Sequence, residues 1–137
     1  MKVTEAELRV IRGRLGIGSR LPVMAPAERP RPQYRSKAEA AWAQRLDALQ
    51  RAGEIKRWAH EVITLRLGPD CRYTPDFLVV PWGWPVVPLE LHEVKGKYAR
   101  EDALVKLRAA AGAFPEFRFV LARLVGTTWE ERQIRAE

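Results

Sequence analysis

The sequence predicts an α/β domain, a mixed β-sheet flanked by helices in the order helix, three strands, helix, strand. Three observations carry this expectation. YTPDFLVV and LELHEVK are strand-like runs joined by PWGWPVVP, whose prolines and glycine must turn the chain. A capped helical stretch precedes them. Segment 89–124 then runs strand, helix, strand, and such a crossover joins parallel neighbours.

At the N-terminus, residues 4–15 fit a short basic helix with Thr4-x-x-Glu7 as a capping box. Residues 16–35 hold Pro22, Pro26, Pro30 and Pro32 and read as an extended arm. This arm suits tracking a nucleic-acid backbone, wrapping a second subunit, or simply trailing as a basic tail. The chain thus divides into residues 1–35, a basic N-terminal helix and Pro-rich arm, and a main domain over 36–137.

The main domain opens with a helix from Ser36 as N-cap to about Ala52, stopped by Gly53. Trp42, Leu46 and Leu49 form its buried stripe, with Glu39 at the edge. A strand is expected around Glu61–Leu67. Strand 77–80 is apolar on both faces, which marks an interior strand. REDALVKLRAAAGAF is a helix burying Leu104, Leu107, Ala111 and Phe114, and Pro115 ends it. FRFVLARLV gives a strand parallel to LELHEVK, and TTWEERQI a short edge strand. Burial is the default for Trp82 and Trp84 in the hairpin turn, with stacking on bases or a dimer contact as alternatives.

At 137 residues the chain is long enough for one domain with a real core. Lys and Arg total 24 against 17 Asp and Glu, a net charge of +7. A strongly basic surface fits a polyanionic partner, and nucleic acid is the commonest. A ribosome-associated or merely basic protein fits the charge too. Cys71 is the single cysteine, so disulfides and thiolate zinc clusters are excluded. His60 and His92 are the only histidines, so any metal is expected on oxygen ligands. No run reaches membrane-spanning length and no signal peptide is visible, so an intracellular (cytoplasmic) protein is expected.

The chemistry is concentrated in three acids and a lysine. A chain reversal between Trp84 and Pro85 places Asp76 opposite Glu93 on one face of an antiparallel pair. Opposed like charges there repel, with Cβ atoms roughly 4.5–5.5 Å apart. A divalent cation between them resolves the conflict, because hard cations take carboxylate oxygens. Strand alternation brings Lys95 up beside Glu93, while Val94 and His92 point the other way. Glu39 either completes the Ser36-x-x-Glu39 capping box or adds a further acid to this site.

Pro75-Asp76, followed by Glu93-Val94-Lys95 and preceded by helical Glu39, resembles the PD-(D/E)XK nuclease motif. The resemblance covers roughly Ser36 to Leu124 and is closest to small phage nucleases and archaeal-type Holliday-junction resolvases. It implies a restriction-endonuclease-like core (αβββαβ) and Mg²⁺, or Mn²⁺, held by Asp76, Glu93, the Val94 carbonyl and Glu39. Catalytic roles fall on Glu39, Asp76, Glu93 and Lys95, and the products are 5′-phosphates. Arg35, Lys97, Tyr98, Arg100, Lys106 and Arg108 are then candidate DNA contacts. Of the last two, Arg108 lies nearer the apolar stripe and Lys106 points away.

The function expected on these grounds is a metal-dependent endonuclease selective for branched DNA, resolving four-way junctions as a homodimer, with a phage-encoded enzyme acting in a bacterial host as one candidate origin. The alternatives are a nicking or repair nuclease on duplex or flaps, and a catalytically inactive DNA-binding protein on the same scaffold.

Overall fold

The computed structural model describes residues 34–97 and 101–136. The expected helix 4–15, nearly all of the arm, Tyr98 and Arg100 lie outside the described residues. What is described is α/β: a five-stranded mixed sheet, a two-stranded sheet and two helices.

Helix α1 (Lys37–Arg51) forms because its sequence, KAEAAWAQRLDALQR, is rich in strong helix formers. Ser36 caps it from an extended conformation, its side chain accepting a hydrogen bond from the Glu39 N–H. Gly53, with φ 77°, closes the other end in the left-handed region where glycine is unstrained. Trp42 and Leu46 are fully buried, as the stripe predicted, with Leu49 partly buried.

Strands β1 (Arg57–His60), β4 (Phe77–Val80) and β5 (Glu90–Lys95) run antiparallel in that spatial order. Strand β6 (Arg118–Val125) lies parallel to β5, and β7 (Thr128–Ile134) closes the edge antiparallel to β6. Helix α2 (Glu101–Ala113) is the crossover between β5 and β6. Gly126, φ 65°, takes the first position of the two-residue loop between β6 and β7. The interior place of β4, the parallel β5–β6 pair and the edge position of β7 all agree with expectation.

Between β1 and β4 a separate hairpin is inserted, β2 (Leu65–Gly68) with β3 (Cys71–Tyr73). Here the sequence expectation is corrected. Residues 61–67 are not one strand: β1 lies earlier and β2 belongs to the small sheet. Glu61, at φ 47°, breaks the extended path between them. Its N–H donates instead to the Asp76 carbonyl. The run YTPDFLVV is also split, because Tyr73 ends β3 while Phe77 begins β4.

Each face of the main sheet has its own core. On one, Trp42, Ala43 and Leu46 of α1 pack over Phe77, Val79, Val94 and Ala122. On the other, Leu107, Ala110 and Ala111 of α2 join the hairpin residues Leu65 and Tyr73 over Leu91, Phe119 and Leu121. Trp82 and Trp84 depart from the burial default at 52% and 50% exposed. Trp82 is nonetheless fixed, its indole N–H donating to the Gly53 carbonyl at 2.8 Å.

Candidate functional site

The β4–β5 register pairs Phe77 with His92 and Leu78 with Leu91. One step further along the same register sets Asp76 opposite Glu93, as the turn position predicted. Leu78 and Leu91 belong to the α2-side core, and residues two apart share a face, so Asp76, Glu93 and Lys95 are presented on that side.

Every one of these groups is held. Asp76 is buried, and its Oδ2 accepts the Val94 backbone N–H at 2.8 Å. Glu93 accepts the Tyr73 hydroxyl at 2.7 Å through Oε2 and meets Lys95 Nζ at 3.1 Å through Oε1. Burial, then the charge of Glu93, pushes the Asp76 carboxyl up to about 7; the Val94 hydrogen bond opposes this, Glu39 adds to it, and Lys95 lowers it. Burial, with the neighbouring carboxylates of Glu93 and Asp76, pushes the Tyr73 hydroxyl far up, so it remains a donor to Glu93.

Glu39 reaches the same end of β4 from the α1 side. The Ser36–Glu39 capping bond is present through the Glu39 N–H, while its carboxylate goes elsewhere, with Oε2 3.5 Å from His60 Nε2. Glu61 Oε1 lies 3.9 Å from the same nitrogen. The three donor atoms of Glu39, His60 and Glu61 all fall within 4.8 Å of one another, a group able to hold a metal. The expectation of oxygen ligands alone therefore leaves out a nitrogen donor that the fold provides here.

His92 faces away from Glu93, as its parity predicted. The Trp42 indole N–H donates to His92 Nδ1 at 3.1 Å, leaving Nε2 as the donor to Glu90 Oε1 at 2.8 Å. That hydrogen bond is the main reason the Glu90 carboxyl is lowered, against the opposing effect of burial.

Among the candidate DNA contacts, Arg35 is exposed and pairs with Glu61 at 3.4 Å. The Lys97 carbonyl accepts a bond from Arg123 at 2.9 Å, which ties the end of β5 to β6. On α2, Lys106 is exposed and Arg108 half-buried, the relation expected from the apolar stripe.

Sequence reasoning missed Tyr73 and His60. A strand drawn straight through 73–80 puts Tyr73 on the face away from Asp76, since they are three residues apart. The only sequence signal for the break was Pro75, which lacks the N–H a ladder needs. His60 stood outside the expected strand.

No family model matches the chain, and neither does any curated protein or solved structure. Among the described residues, no helix is long and apolar enough to cross a membrane.

Proposed function

We propose that this chain is a metal-dependent, structure-selective DNA endonuclease of the PD-(D/E)XK kind, with a restriction-endonuclease-like core, acting on four-way junctions as a two-fold homodimer. One observation carries the proposal. Two carboxylates, Asp76 and Glu93, are held face to face on a half-buried surface with Lys95 beside them, and Asp76 is pushed up to about 7 by burial and by that repulsion. An arrangement that costs stability when empty fits a site made for a cation.

The donor set suits Mg²⁺ or Mn²⁺, with Asp76, Glu93 and the Val94 carbonyl as ligands and Glu39 on its water shell. A bound divalent cation supplies an activated water near neutral pH and neutralises phosphoryl charge. The protein's own groups do the positioning. Val94 N–H fixes the rotamer of Asp76, Tyr73 fixes Glu93, and Lys95 orients the attacking water and offsets charge building on the phosphate. The basic surface, including Lys106 and Arg108, favours recognition of backbone shape over base sequence. By the family resemblance, the products carry 5′-phosphates. A catalytically inactive DNA-binding protein would have no use for the repulsive acidic group.

The test is a labelled four-way junction incubated with Mg²⁺ or with EDTA, alongside flap and linear duplex at matched salt. Symmetric cuts in the junction with Mg²⁺ alone are expected. Asp76→Asn and Glu93→Gln should bind DNA yet cut at least roughly 10²–10³-fold more slowly. Cutting by Asp76→Asn at the wild-type rate removes the site assignment. Faster cutting of flap or duplex replaces the junction with a nicking or repair substrate, and a monomer on junction DNA removes the dimer.

A further inference from the structure

We propose that Glu39, His60 and Glu61 form a second, mixed nitrogen–oxygen site for a borderline divalent cation such as Mn²⁺, Co²⁺ or Zn²⁺, beside the oxygen site of Asp76 and Glu93 and sharing with it only the Glu39 carboxylate, a ligand here and a water-shell group there. The proposal goes beyond the nuclease reading, since metal uptake here requires no activity.

Convergence of the donors is the first argument. His60 Nε2 stands 3.5 Å from Glu39 Oε2 and 3.9 Å from Glu61 Oε1, and all three donor atoms lie within 4.8 Å. Donors bound at roughly 2.0–2.2 Å in a tetrahedron around one ion are about 3.3–3.6 Å apart, so a small inward rotation of the glutamate side chains closes this group on an ion.

Unmet bonding is the second argument, and it is independent. The Glu39 side chain is only 8% exposed, yet its buried Oε2 has no hydrogen-bond partner, and neither has the buried His60 Nε2. Buried polar atoms left unpaired cost on the order of 1–3 kcal/mol each, so native structures rarely keep them without a use. The two orphaned atoms lie 3.5 Å from each other, and His60 Nε2 lies 3.9 Å from Glu61 Oε1.

The surroundings agree. Glu61 is held at φ 47°, a region that a glutamate rarely adopts, and this turn carries its carboxylate to the group. The Tyr34 ring sits edge-on to the imidazole at 4.8 Å and Phe77 packs at 5.2 Å, an apolar shell that orients the ring and limits water. Arg35 pairs with the same Glu61 oxygen at 3.4 Å and so competes, but that arginine side chain is 77% exposed and its hold is weak. An imidazole with two carboxylates favours a softer ion than Mg²⁺, which prefers all-oxygen octahedra.

The experiment titrates the metal-free full chain with Co²⁺, followed by its visible absorption, and with Zn²⁺ by calorimetry. Wild type should take up Co²⁺ with a spectrum requiring a nitrogen ligand, undisturbed by millimolar Mg²⁺. His60→Ala and the more exposed Glu61→Gln should weaken Co²⁺ binding by at least roughly 10–100-fold, the loss typical of removing even a supporting group. Circular dichroism checks that both variants remain folded. Glu93→Gln, which should abolish cutting, should leave this uptake intact, so failure of the nuclease reading and failure of this site read out separately. Wild-type affinity in both His60→Ala and Glu61→Gln overturns the proposal, as does loss of Co²⁺ binding in Glu93→Gln alone or full displacement by Mg²⁺.

Discussion

The two faces of the sheet handle buried polarity in different ways. On the α1 side the core is aromatic: Trp42 contacts Trp129 at 4.8 Å and His92 at 5.7 Å, and Trp58 meets Phe77 at 5.7 Å. Its polar groups fall into two sets, one chained donor to acceptor from Trp42 through His92 to Glu90, the other, Glu39 and His60, left unmet. On the α2 side the core is mainly aliphatic, yet its acids are clamped one by one, Asp76 by Val94 and Glu93 by Tyr73 and Lys95. The lesson is that a fixed carboxylate and a satisfied one are different things. Asp76 has a strong donor and is still pushed up, because burial and a neighbouring charge outweigh a single hydrogen bond.

The comparison breaks first at Trp42, which is fully buried. Trp42→Ala should cost about 3–5 kcal/mol of unfolding free energy, since it opens a cavity and leaves His92 Nδ1 without its donor. Urea unfolding measures this, and a loss under about 1 kcal/mol would mean that the α1 face does not anchor the fold.

Next in size is a pH effect confined to the other face. The folded Asp76 carboxyl titrates near 7, well above its unfolded value. Its stabilising contribution is therefore complete below about pH 4 and is lost as pH rises through 7, at most about 4 kcal/mol over the window. Glu90, whose carboxyl is lowered, contributes in the opposite sense, its share being lost as pH falls. Comparison with Asp76→Asn isolates the first slope: in EDTA, wild type should lose stability relative to the variant between pH 4 and 7. Parallel curves would show that Asp76 is not in the environment the structure gives it.

Much of this was legible in the chain, for physical reasons that can be named. The β4–β5 register followed from a chain reversal placed between Trp84 and Pro85 in a turn punctuated by proline and glycine, and it set Asp76 against Glu93. Helix α1 was readable from its cap, its stripe and Gly53. Strand β1 was not, because RWAH is short and set among charges, while the apolar VITLRL drew the strand assignment to itself. In the structure Val62 is exposed, and Ile63, Leu65 and Leu67 pack with the α2-side core as part of the inserted hairpin. The left-handed turn at Glu61 had no signal, since neither glycine nor asparagine marks it. Losing β1 also hid His60, and with it the imidazole that stands beside Glu39 and Glu61.

The smallest effect sharpens the comparison most, because it tests a clamp and not a charge. Tyr73 comes from the small sheet, and its hydroxyl donates to Glu93 at 2.7 Å while its ring packs in the α2-side core. Tyr73→Phe keeps the ring and removes the donor, so the cost should be about 1.5–3 kcal/mol, the range for a bond to a charged partner. Adding Mg²⁺ should recover part of that loss if Glu93 is a ligand, because the cation then satisfies the oxygen that the phenol leaves behind. Thermal melts of wild type and variant, with Mg²⁺ and with EDTA, separate the outcomes. Equal losses in both conditions would mean that Mg²⁺ does not take the Glu93 oxygen, and no loss in either would make Tyr73 a plain packing residue instead of the group that aims Glu93.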